Sequence, residues 1–241
     1  LSGYLVTYSG NGNTLGAAPA DSNLYAPGAS ATVLGTNTLA KTNFVFASWN
    51  TAANGTGTSY LPGTTLTVTN NTALYAQWTM LNGFWDNGAG NGNWSSTDRN
   101  WSGGYGWNNS QSCNAFFTSL GGTINLTQPI NAGSVNVGNS SLNVPSTTFA
   151  NGSLNASSLT VQGSGNNGST YSSNPKLTLG VPTVSVSGDI AMGRANLVVI
   201  NGSVSANRII SAAASADWAD VVINGGTVTA TNGVDGSVNT A

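Results

Sequence analysis

The chain has no histidine and no glutamate, a single cysteine, and only 5% charged residues among its 241. Each scarcity removes a class of function. Without histidine, a serine or cysteine nucleophile lacks its usual base, and a metal site built from Cys and His lacks ligands. No cofactor, metal centre or catalytic residue is therefore expected, and the chain is expected not to be an enzyme. The five cations, Lys41, Arg99, Lys176, Arg194 and Arg208, are scattered along the chain. A nucleic acid or an anionic membrane surface needs them clustered, so neither is an expected partner. Cys113 has no second cysteine for an internal disulfide, so burial and backbone hydrogen bonds must supply the stability unless it pairs between chains. Runs of about 20 apolar residues are missing, and Leu1 opens without signal-peptide character, so this segment is not expected to insert into a membrane.

Asn, Ser, Thr and Gly take the place of charge, a bias that suits short strands and turns in extracellular structural proteins. Hydrophobic residues make up 39%, enough for a core, and the periodicity changes along the chain in a way that fits two domains. In the first part, Phe44 and Phe46, and then Leu74, Ala76 and Trp78, alternate with period two, which places large apolar groups on one face of each strand. Asn54-Gly55 supplies a turn between them. Strands are expected near 4 to 9, 31 to 35, 43 to 49, 65 to 69 and 73 to 78. Pro19, Pro27 and Pro62 mark loops or edges, because proline has no amide to donate.

These blocks resemble a known repeat. Tyr4-Leu-Val-Thr-Tyr8 with Gly10-Asn-Gly-Asn13, Tyr25-Ala-Pro-Gly28, Val33-Leu-Gly35, Phe44-Val-Phe-Ala-Ser-Trp49-Asn and Leu74-Tyr-Ala-Gln-Trp78 are together similar to one copy of the Listeria-Bacteroides, or internalin B-type, repeat. Asn43-Phe44 stands where that family usually has glycine followed by an aromatic. The resemblance implies a bacterial surface or secreted protein and a small β-grasp-like sheet over residues 1–79. Any vestigial helix would lie around 15 to 30.

Past Thr79 the character changes. Phe84-Trp85-Asp86, Asn93-Trp94-Ser95, Asn100-Trp101-Ser102 and Trp107, followed by Cys113-Asn-Ala-Phe116-Phe117, resemble the opening of the autotransporter-associated β-strand repeat. Residues 80–117 are expected to be a Trp/Gly-rich connector and solenoid cap. From 118 to 241, alternating runs recur: Thr123 to Leu126, Ser134 to Val137, Ser158 to Val161, Lys176 to Leu179, Val184 to Val186, Val198 to Ile200 and Val221 to Ile223. A block starting Asn-Gly repeats at Asn151, Asn201 and Asn224. That spacing suits coils of roughly 23 to 25 residues. The expected fold is all-β: the small β-grasp-like repeat, then a right-handed parallel β-helix. The alternative for the second part is an antiparallel β-sandwich, which the Asn-Gly hairpin signals favour.

Candidate chemistry is thin. Asp217 and Asp220 beside Arg208 are the best polysaccharide-cleaving constellation, although strand alternation would separate the two carboxylates, and a solvated loop explains them as well. The Asp86-Asn-Gly-Ala-Gly-Asn-Gly-Asn93 run has one carboxylate where a calcium loop needs several. An Asn-Lys isopeptide crosslink would need an acid catalyst, and Asp is the only acid present. The Trp group at 85, 94, 101 and 107 suits either sugar stacking or the capping of an open solenoid end. The expected function is a noncatalytic extracellular or cell-surface structural or adhesive protein, with filament formation by strand pairing at open ends. The alternative is a carbohydrate-binding or degenerate polysaccharide-lyase-like β-helix. Expected partners are other copies of itself, or host or cell-surface glycans or proteins.

Overall fold

In a computed structural model the chain is all-β, and no helix occurs among the described residues, which are 3–109, 113–138, 146–163, 176–193, 196–200, 202–211, 220–235 and 237–240. It divides into two compact units, Leu1–Leu81 and Asn82–Ala241.

The first unit has six strands: β1 (Val6–Ser9), β2 (Ala29–Thr32), β3 (Phe44–Asn50), β4 (Ser59–Tyr60), β5 (Thr65–Val68) and β6 (Thr72–Met80). Four form a mixed sheet in the order β1-β6-β3-β4, with β1 parallel and β3 antiparallel to β6. The other two, β2 and β5, make a separate antiparallel pair. Residues 15 to 30 hold no helix. Gly16 and Gly28 sit at φ 67° and 80°, outside helical space, and Pro19 and Pro27 remove donors, so the stretch is pinned by bridges instead, Leu15 to Ala40 and Tyr25 to Tyr4. Asn54-Gly55 does make a turn, but it leads β3 into β4, not into β6.

Simple alternation would put Trp49 on the opposite face from Phe44 and Phe46. A bulge between Phe46 and Ser48 resets the phase, and Trp49 turns inward to become fully buried. There it meets Phe46 and Tyr8 edge-on at ring-centre distances of 5.1 and 4.9 Å, over Val6, Val33, Leu66, Leu74 and Ala76. Its indole N–H donates to the Leu34 carbonyl at 2.9 Å, so the burial leaves no orphan donor. Asn43, the departure from the family pattern, has φ 65°. Asparagine is the side chain that best tolerates the left-handed region, so it preserves the turn that glycine would make.

In the second unit every pairing between named strands is parallel. One sheet stacks, in chain order, Asn93–Trp94, Gly122–Leu126, Thr147–Asn151, Lys176–Gly180, Asn196–Ile200, Asp220–Asn224 and Ser237–Thr240. A second stacks Asn82–Phe84, Asn114–Phe117, Ile130–Gly138, Ser153–Gln162, Thr183–Val186, Ser203–Ala206 and Thr227–Ala230, with a branch through Ile190–Gly193, Ile209–Ser211 and Val234–Asp235. Among the described residues the antiparallel sandwich does not occur. Its hairpin signals are corners: Asn151, at φ 70°, and Gly152 carry the chain from one sheet directly into the other, and the Gly152 amide bonds to Leu126 of the preceding rung.

The register aligns apolar columns. Ile130 lies beside Leu154, Leu154 beside Val184, Val184 beside Val204, and Val204 beside Val228. A second column runs Ala115, Val135, Leu159, Ile190, Ile209, Val234. The Asn-Gly blocks at 151 and 201 are therefore two rungs apart, and the rung between them, Thr183–Val186, opens with Val181-Pro182 instead of Asn-Gly. Outside the columns, amide side chains join successive rungs: Asn114 to Asn82, Asn151 to Asn125, Asn155 to Asn131, and Asn232 to Asn207 to Asp189, at 2.6 to 3.0 Å.

Candidate functional site

Among the described residues, Arg208 forms an ion pair with Asp189 at 2.7 Å. Asp217 lies outside the described residues, and Asp220 opens the backbone of the strand Asp220–Asn224. The Arg208 hydrogen bond, helped by Asn207, holds the Asp189 carboxyl below its ordinary range. No group of three or more His, Cys, Asp or Glu side chains among the described residues could hold a metal ion. Burial pushes the Cys113 thiol up, away from the reactive thiolate.

The loop from Asp86 to Asn93 spends its oxygens on itself. Asp86 accepts from the Gly88 amide, Asn87 from Gly92, and Asn91 from Asn93 and from the buried Asn100 side chain. Asp98 accepts from Ser95 and Asn91, both at 2.6 Å, which holds its carboxyl below the usual range. These are turn-closing bonds that compete with any cation for the same lone pairs.

The tryptophans form a packed block. Trp94 and Trp101 are 0% exposed, Trp107 1% and Trp85 3%. Trp94 sits 5.1 to 5.7 Å from Trp101, Trp107, Phe117 and Phe149. Rings enclosed on this scale offer no face to a sugar, so stacking through Trp94 or Trp101 is excluded. Trp107 donates its N–H to the Asn131 carbonyl at 3.0 Å, whereas the Trp94 and Trp101 N–H groups find no acceptor. Both indoles are packed among aromatic rings, whose edge-to-face contacts return part of the lost hydrogen bond.

Sequence reasoning missed three features. One is the interstrand amide ladder, whose signal is an Asn recurring one rung apart. Another is Asn50, 1% exposed, which donates to Gly55, Gly57 and Ser59 and accepts from Ala52 and Gly57, thereby folding the β3–β4 loop. The third is the Asp189–Arg208 pair, visible only once the rung register is known.

No curated protein and no solved structure matches the chain. Repeats of the kind found in its first unit are typical of bacterial extracellular and surface-associated proteins. Residues 4–77 match the Listeria-Bacteroides repeat domain.

Proposed function

We propose that this chain is a noncatalytic structural or adhesive component of the bacterial cell surface or the extracellular space. In this reading residues 1–79 are a β-grasp-like spacer or contact domain, residues 80–117 cap a solenoid, and residues 118–241 are a right-handed parallel β-helix that acts as a rigid rod. The observation that carries it is the parallel register of the second unit, in which Ile130, Leu154, Val184 and Val204 stack rung on rung and are buried. The enclosed tryptophan block at the first rungs supports the capping role, because a solenoid end left bare exposes apolar side chains and strand edges.

Self-association is part of the proposal. Val228 and Ala230 are only half-buried and Val234 is 38% exposed, although their predecessors Val204, Ala206 and Ile209 are buried. An edge of this kind pairs with further β-structure, and heterologous pairing that does not close produces filaments. Light scattering and negative-stain microscopy over rising protein concentration test it. Concentration-dependent filaments that disappear in a Val228→Lys, Val234→Lys double variant are expected, and dispersed monomers at every concentration remove the fibre component. Resistance of the second unit to subtilisin under conditions that digest unfolded chains tests the rod.

A further inference from the structure

A groove of about 550 Å³ crosses three successive rungs of the second unit at the corner where the chain passes from one sheet to the other. Its volume falls within the range of ligand sites. The middle rung opens it. Gly152 carries no side chain, and a Cβ there would strike the Leu126 carbonyl oxygen at 2.5 Å, so the backbone itself forms the floor. Pro129 on the rung before and Pro182 on the rung after stand as apolar walls.

Asn151 is bonded to Asn125, but other polar groups lining this space are uncommitted. The Ser153 and Thr183 hydroxyls make no hydrogen bond to a described residue. Gln128 accepts from Ser96 through Oε1 at 3.3 Å, which leaves its amide N–H₂ to donate elsewhere. None of the lining residues carries a charge. Beyond the groove, Ser153 and Thr183 begin a column that continues in register through Ser203 and Thr227, the last three of its members exposed.

We propose that this corner binds a neutral oligosaccharide lying along the rungs. Each class of ligand meets a different test here. An anionic chain finds no cation to replace its counterions. A peptide added as a strand needs open backbone groups, and those of the corner are taken up between rungs, Gly152 N–H by Leu126 and Ser203 N–H by Pro182. A neutral sugar chain needs what is present: hydroxyl partners repeating every ~4.8 Å, the spacing of paired strands, the Gln128 amide beside them, and apolar walls for its C–H faces. The hydroxyl column extends the contact, so affinity should rise with chain length. This inference does not depend on self-association, which is measured separately, and the two fail independently.

The experiment is calorimetric titration of the full chain with cellohexaose, mannohexaose, laminarihexaose and chitohexaose, their trisaccharides, and hexagalacturonate as an anionic probe. At least one neutral hexasaccharide should bind more tightly than its trisaccharide, with an affinity insensitive to salt. Thr183→Val and Gln128→Leu, which keep shape and remove one hydrogen-bonding group, should each weaken it about fivefold at unchanged melting temperature. Ser153→Met, which fills the groove, should weaken it more than about tenfold. If Ser153→Met does not fold, Thr183→Val decides. Silence with all four neutral sugars, preference for hexagalacturonate, or full affinity in the Thr183→Val and Gln128→Leu variants overturns the proposal.

Discussion

The first and last rungs of the parallel ladder use similar chemistry to opposite effect. At Asn93–Trp94 and Asn114–Phe117, the rings of Trp94, Trp101, Trp107 and Phe117 close over the start of the apolar column, and all four are essentially inaccessible. At Thr227–Ala230 and Val234–Asp235 the inward positions carry only Val228, Ala230 and Val234, which remain half-buried or exposed. The register is the same at both ends, so register alone does not bury a rung. Burial requires a neighbour on both sides, and aromatic side chains from a non-repeating segment can substitute for that neighbour at one end.

The amide ladder adds a direction to this asymmetry. Asp189 can only accept, so Asn207 must present its N–H₂ to Asp189 and its oxygen to Asn232. The same sense, later rung donating to earlier, holds for Asn114 to Asn82, Asn151 to Asn125 and Asn155 to Asn131.

The largest effect is expected at the closed end: Trp94→Ala should cost the second unit about 3–5 kcal/mol, read by chemical denaturation. Leu154→Ala, in the middle of the column and fully buried, should cost about 3 kcal/mol. A loss at Leu154 larger than at Trp94 would break the view that the closed end anchors the ladder. Asn207→Asp sets a second carboxylate against Asp189 and should lower stability measurably at neutral pH, a loss relieved in acid. Val234→Ala should change stability by less than about 0.5 kcal/mol, because the residue is already 38% exposed. The smallest effect concerns acidity. The folded-state value of Asp189 lies below that of the unfolded chain, so its contribution is present above about pH 4 and is lost as pH falls through the depressed value. Amide exchange at Ile209 and Val234, taken relative to the intrinsic rate at each pH, should quicken below that pH and hold steady between pH 5 and 8, where a chain without histidine has little to titrate. Equal acceleration at Val135 would place the sensitivity elsewhere than the Asp189–Arg208 pair.

Much of the strand content was legible because period-two alternation survives in Thr123 to Leu126, Lys176 to Leu179 and Val221 to Ile223, each of which lies within an observed strand. The inward turn of Trp49 was not legible, since a bulge is one extra residue with no signature in alternation. The Asn-Gly pairs are locally ambiguous: the left-handed backbone that closes a hairpin also turns a corner, and only the destination of the next strand separates the two. The partner of Arg208 was hidden for a related reason: in a stacked ladder the nearest neighbours are one rung away, which is where Asp189 lies.

The sequence by itself determined that this protein is all-β, that its surface is poor in charge and rich in small polar residues, and that histidine-based chemistry is closed to it, because composition and alternation are properties of the chain before it folds. Tertiary structure alone decided which residues touch. Parallel pairing couples positions a full coil apart, so the enclosure of the tryptophans, the direction of the amide ladder and the groove over Gly152 depend on coil lengths that vary from rung to rung.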